Sequence, residues 1–192
     1  MNVYDFDGTI YDGDSSRDFY FYILKKHPKV LKYIFYQVKG IGSYFFNCID
    51  KTCAKEHFFS FLQGLSEAEI KSSLDEFWDL NENKIMEWYK ERHQEDDVVI
   101  SASPDFLLRP VCKYLGIDRL IASNVNMCTG KFEGPNCYGV EKVVRFKAEY
   151  PNISIGEFYS DSISDAPLKE LAQNGFLVKK NKISEWPENC KR

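Results

Sequence analysis

Apolar residues change their spacing twice along this chain. Residues 2–6, apolar at Val3, Tyr4 and Phe6, predict a short strand that runs straight into Gly8. From about 15 to 95 apolar positions recur at intervals of three and four, which predicts helices. Within that stretch Ser66 and Glu69 make an S-x-x-E capping box, and Ile70, Leu74, Phe77 and Trp78 follow at helical spacing. Pro28, Gly40, Gly42 and Gly64 divide it into several helices. After the polar turn Gln94 to Asp97, short apolar runs return at 98–101, 120–122, 155–160 and 176–178, each predicting a strand. Helices are expected at 105–115, ending at Gly116, at 140–150, stopping before Pro151, and at 165–174, ending at Gly175. Residues 124–138, rich in Asn, Gly and Pro, read as a hairpin-like excursion.

Strands that alternate with helices predict an α/β fold: a Rossmann-like parallel sheet core with helices on both faces. The helices at 15–95 interrupt the alternation and read as an insertion. The expected division is therefore an α/β core at 1–14 and 96–192, with a helical unit at 15–95.

Composition adds exclusions. The chain has 192 residues, 44% hydrophobic and 28% charged, which is globular and not disordered. A net charge of −4 argues against a binder of duplex nucleic acid. The six cysteines, at 48, 53, 112, 128, 137 and 190, show no CxxC pair, so reduced thiols of a cytoplasmic protein are expected. A hairpin that brings Cys128 to Cys137 is the less favoured alternative. Neither a signal peptide nor an apolar run of spanning length is evident. The charge is unevenly spread, with a net +6 over residues 25–55 and a net −7 over 66–97, blocks that usually form solvated helix faces. Aromatic residues make up 16% of the chain and concentrate in the same half, where their ordinary role is to fill the core of the helical unit.

In an open α/β sheet the ligand site lies beyond the carboxyl ends of the strands. Asp5, Asp7, Gly8 and Thr9 follow the first predicted strand, Ser101, Ala102 and Ser103 the second, and Asp161 and Asp165 the fourth. Lys142 stands near the start of the helix at 140–150, with Lys147 its rival. Converging carboxylates repel unless a cation neutralises them, and an all-oxygen set selects a hard metal such as Mg²⁺. A carboxylate facing a phosphoryl group can act as a covalent nucleophile. Residues two apart on a strand share a face, so Asp5 and Asp7 are expected to serve one site.

Asp5-Phe6-Asp7-Gly8-Thr9, a serine at the end of the second strand, Lys142, and Asp161-x-x-x-Asp165 occur in the order of the four motifs of the haloacid dehalogenase superfamily, which this chain resembles. The resemblance implies that Asp5 forms an aspartyl-phosphate, with Asp7 as general acid and then base. It further implies that Ser101 (or its rival Ser103) and Lys142 bind the phosphoryl group. Asp5, the Asp7 carbonyl, Asp161 and Asp165 would surround Mg²⁺. Asp7 marks a phosphatase or phosphotransferase, because the dehalogenases lack that aspartate and the transport ATPases have threonine there. A helical insertion between the first two motifs, acting as a cap, resembles the phosphoserine-phosphatase-like branch.

In that branch an acid nine residues after the nucleophile meets the substrate ammonium, a position held here by Asp14. Asp14 is equally readable as a helix N-cap. Two glycines usually follow the serine, where this chain has Ala102-Ser103, and this departure counts against phosphoserine itself. Gly8, Thr9, Ala102 and Asp14 complete the expected substrate contacts. The expected partner is a small phosphomonoester. The alternative is a phosphotransferase or lipid-associated phosphatase whose basic aromatic stretch at 25–55 lies on an anionic membrane.

Overall fold

The computed structural model describes residues 1–187. Six strands form one sheet in the order β3-β2-β1-β4-β5-β6: β1 (Val3–Tyr4), β2 (Val98–Pro104), β3 (Arg119–Ser123), β4 (Ile155–Ser160), β5 (Ala172–Lys179) and β6 (Lys182–Glu185). The first five are parallel, and β6 runs antiparallel at the edge. The chain therefore builds outward from β1 in one direction, then returns to add β4 on its other side. The crevice between β1 and β4 is the switch point at which such sheets bind ligands.

Alternation along the strands explains the layers. Val3, Val98, Ile100, Phe158 and Leu177 face one side, where Phe146 of α7 (Val140–Glu149) and Leu168 of α8 (Ala166–Lys169) cover them. Tyr4, Val99, Tyr159 and Val178 face the other. That side is covered by α6 (Asp105–Tyr114) and by parts of the helical segment between β1 and β2.

The helical segment contains α1 (Ser15–Lys26), α2 (Ile34–Phe45), α3 (Lys51–Phe59), α4 (Glu67–Asn81) and the short α5 (Glu87–Lys90), with 3₁₀ turns between several of them. Its aromatic residues do not fill a private core. They join the sheet face in one continuous cluster. Trp78 of α4 packs edge-on against Phe6 and Tyr11, and its indole N–H donates to the Leu107 carbonyl of α6 at 2.8 Å. Trp88 and Tyr89 of α5 pack on Tyr4 of β1. The capping box at Ser66 and Glu69 is present, and Ile70, Leu74, Phe77 and Trp78 are the buried face of α4.

Two expectations need correction. The helix expected over 165–174 is only a 3₁₀ turn and the four residues of α8, and β5 starts at Ala172 instead of 176. Gly175 is not a helix cap but lies within β5, where a Cβ would stand 2.5 Å from Lys169 Cγ. The excursion at 124–138 is hairpin-like as expected: the antiparallel bridge Val125–Phe132 is flanked by the Asn126 N–H donating to the Lys131 carbonyl and the Glu133 N–H to the Asn124 carbonyl, both at 2.8 Å, and it leans on α3. There the Phe132 N–H donates to Glu56 at 3.0 Å. No disulfide joins the five described cysteines, and Cys190 lies outside the described residues.

Candidate active site

β1 ends at Tyr4, so strand alternation is not what brings Asp5 and Asp7 together. The Asp5 N–H still extends the ladder by bonding the Tyr159 carbonyl at 2.8 Å. The chain then turns sharply, with the Phe6 carbonyl accepting from the N–H groups of Thr9, Ile10 and Tyr11. Gly8 makes this turn with φ +73°, and a Cβ there would lie 2.4 Å from an Asp161 carboxylate oxygen. Glycine is therefore required both by the backbone angle and by the approach of β1's loop to β4's.

The loops after β1 and β4 and the end of β2, with Lys142 of α7, form the floor of a cavity of about 540 Å³. Asp5, Asp7, Gly8, Ser101, Ala102, Ser103, Lys142, Asp161 and Asp165 all line it. Lys142 is 2% exposed and bridges two carboxylates, donating to Asp5 at 2.8 Å and Asp165 at 2.7 Å. Asp165 also accepts from the Ser160 hydroxyl at 2.8 Å, so it orients the lysine. Lys147 is exposed on α7, away from this cluster.

Asp7 is clamped from two sides. The Ser15 N–H at the start of α1 donates to one oxygen at 2.7 Å, and the Ser103 hydroxyl makes a short hydrogen bond to the other. Ser101 accepts from the Ser103 N–H at 3.1 Å, which leaves its own hydroxyl proton free to donate into the cavity. The two serines at the end of β2 are thus not rivals for one place: Ser103 holds Asp7, and Ser101 is the one left to face an incoming group.

Burial pushes the Asp7 carboxyl up to about 6, with the Asp14 carboxylate adding to the rise and the Ser103 and Ser15 hydrogen bonds opposing it. Burial likewise raises Asp5, against the pull of Lys142, and raises Asp161 with help from Asp165. Burial opposes the charge of Lys142, but Asp5 and Asp165 outweigh it and hold the ammonium above its ordinary value. Four carboxylates thus crowd the strand ends around one buried lysine, which bonds two of them, a centre short of positive charge.

The donors there are all oxygen. Among the described residues no three acidic, His or Cys side chains form a ready metal cage. That set fits a small hard cation which takes one or two carboxylates and keeps several waters, and it does not fit a soft metal.

Two expected substrate contacts fall out differently. Asp14 lines the cavity but spends one oxygen capping α1, accepting from the Arg17 N–H at 2.9 Å. Thr9 is fully buried beneath the turn and does not line the cavity, so its expected contact with substrate is withdrawn.

The opposite wall, from the helical segment, was not anticipated. It presents Arg17, Lys51, Lys55, Phe58 and Phe59. Lys55 donates to the Ala102 carbonyl at 2.8 Å and to Asn136 at 3.2 Å, and Lys51 sits 3.3 Å over the Tyr138 ring. Burial pulls the Lys55 ammonium down to about 8, with the neighbouring Lys51 adding to the fall. The available sign was Lys51 and Lys55 four apart, one helical turn, inside the basic block.

A sequence model of the haloacid dehalogenase-like hydrolases matches residues 3–170. Protein CicA of Caulobacter vibrioides is 25% identical over 203 residues, spanning 94% of this chain and 86% of that protein. A solved Bordetella pertussis protein of unknown function has TM-score 0.76 at 19% identity, over 91% of this chain and 87% of that one. A phosphoserine phosphohydrolase-like protein from Francisella tularensis has TM-score 0.55 at 22% identity, over 95% and 90%. At such identities the two structures speak for a shared fold.

Proposed function

This chain belongs to the haloacid dehalogenase-like hydrolase family, and from that premise we propose that it is a Mg²⁺-dependent phosphomonoesterase working through an aspartyl-phosphate on Asp5. The observation that carries the reading is Lys142 bridging Asp5 and Asp165 in the same cavity as a clamped Asp7. An Asp5 oxygen attacks phosphorus while the bond to the leaving oxygen breaks, and Asp7 gives that oxygen its proton. Its raised value suits a carboxyl that must hold a proton near neutral pH. Water then attacks the phosphoryl group, Asp7 takes a proton from it, and Asp5 and inorganic phosphate are released. Ser101 and Lys142 donate to the phosphoryl oxygens throughout.

Asp5, Asp161 and the Asp7 carbonyl would hold Mg²⁺, with Asp165 beside them orienting Lys142. Bound there, the ion supplies positive charge that offsets the crowded carboxylates and the phosphoryl group. The helical segment acts as the cap that closes the site, and it sets the substrate class. Arg17, Lys51 and Lys55 disfavour a leaving group that carries an ammonium, which weighs against phosphoserine; an anionic or uncharged leaving group suits that wall.

The test is hydrolysis of p-nitrophenyl phosphate by the purified chain with Mg²⁺. Activity that stops in EDTA and in Asp5→Asn supports the proposal; full activity in Asp5→Asn removes it. A panel of phosphomonoesters with ammonium, neutral and carboxylate leaving groups then tests the substrate class.

A further inference from the structure

Helix α2 is inside out. Its buried residues are Gln37 and Gly40. Gln37 accepts from the Tyr20 hydroxyl at 2.7 Å and donates to the Phe58 carbonyl at 2.8 Å. Gly40 lets the helix close on α3, since a Cβ there would stand 2.2 Å from His57 Cβ. The apolar side chains point the other way: Phe35 is 85% exposed, Val38 60%, Phe45 80%, and Phe46 beside them 82%. Phe35, Val38 and Phe45, at i, i+3 and i+10, share one face of the helix. Exposed apolar residues are ordinary when scattered, but an apolar stripe along one open helix face marks a contact surface.

Charge says what the contact is. Lys32, in the turn that leads into α2, and Lys39, on α2 itself, are exposed beside this stripe, and Asp50 is the only acidic residue from 25 to 55. The lysines on the side toward α4 are already occupied, Lys26 by Glu76 and Lys29 by Glu69. We propose that this face docks on an anionic lipid bilayer, with α2 lying in the headgroup plane. A helix of twelve residues is about 18 Å long, too short to span, and no helix among the described residues is long and apolar enough to cross a membrane. Aromatic residues with lysines around them, on a short in-plane helix, are what an interfacial anchor requires.

A second copy of the chain suits the face less well. A two-fold contact would gather the lysines of both copies, Lys32 and Lys39 included, at one interface where this face offers no acidic partner but Asp50. The acidic block that might neutralise them, on α4, carries few exposed apolar residues to cover the phenylalanines. Because α3 stands between α2 and the cavity, docking leaves the cavity open, and the proposal does not depend on what the cavity hydrolyses.

The experiment is co-sedimentation of the full chain with vesicles of equal parts phosphatidylglycerol and phosphatidylcholine, against phosphatidylcholine alone, at low and high salt. Binding to the anionic vesicles at low salt is expected, weakening as salt rises. Each lysine near such a surface contributes about fivefold in partitioning, so Lys32→Glu/Lys39→Glu should weaken binding by at least about thirtyfold. Phe35→Ser/Phe45→Ser should also weaken it, and both variants should keep wild-type melting temperature and p-nitrophenyl phosphate hydrolysis. No binding to anionic vesicles at low salt overturns the proposal, as does undiminished binding in both folded variants. A dimer that Phe35→Ser/Phe45→Ser dissociates, with no vesicle binding, gives the face to a second copy instead.

Discussion

The two walls of the cavity differ in how each polar group is held. On the strand-end wall, Asp5, Lys142 and Asp165 are buried and Asp7 is half-buried, and all four are fixed by hydrogen bonds to one another, to serines or to a backbone N–H. On the helical wall, Arg17 and Lys51 lie at the surface, and only Lys55 is tied down, by Ala102 and Asn136. A covalent reaction needs its groups fixed before the substrate arrives, whereas selection of a leaving group tolerates adjustment. The contrast implies that variants of the first wall change turnover and variants of the second change affinity.

The largest effect should come from Asp5→Asn, which keeps the shape and removes the proposed nucleophile. A fall of about 10⁴-fold or more in kcat is expected with the melting temperature nearly unchanged. A modest fall would make the two walls equivalent.

Next is Trp78→Ala, which asks whether the walls share one core. Trp78 joins α4 to Phe6 and α6, so truncation should cost about 3–5 kcal/mol in denaturant unfolding. One cooperative transition is expected; two separate transitions would show that the helical segment folds on its own.

Lys55→Met should act on the second wall alone, raising KM about tenfold with kcat within about threefold. In the wild type, Lys55 is charged below its value of about 8 and loses the proton above it. Affinity for a dianionic phosphate analogue should therefore fall as pH rises through about 8, and that fall should shrink in Lys55→Met. Stability has the opposite slope. The unfolded lysine holds its proton to about 10.4, so between about 8 and 10.4 the folded state gains stability as pH rises.

The strand-end wall was legible in the sequence because short apolar runs and the residues just after them are local features. Asp5, Asp7, Ser101, Lys142, Asp161 and Asp165 could each be placed at the end of an element before the sheet order was known. The division of labour between Ser101 and Ser103 was not legible, since it depends on Ser15 of α1 fixing the other side of Asp7. The helical wall was hidden for the same reason: nothing local says that α3 turns Lys51 and Lys55 toward β2. At the far edge, Gly175 resembled a helix cap because close packing by Lys169 and a left-handed turn both call for glycine. β6 was missed although Lys180 and Asn181, both with positive φ, make the two-residue turn of a hairpin.

Whether Asp5 carries the phosphoryl group and Asp7 moves the protons is read out in Asp7→Asn with p-nitrophenyl phosphate. This leaving group needs little protonation, so the first step should survive while hydrolysis of the intermediate stalls. Mixing enzyme with excess substrate and Mg²⁺ should release a burst of nitrophenolate equal to the enzyme present, and acid-quenched mass spectrometry should find the phosphoryl group on Asp5. Steady turnover without a burst, or a phosphoryl group on any other residue, would rule out these roles for Asp5 and Asp7.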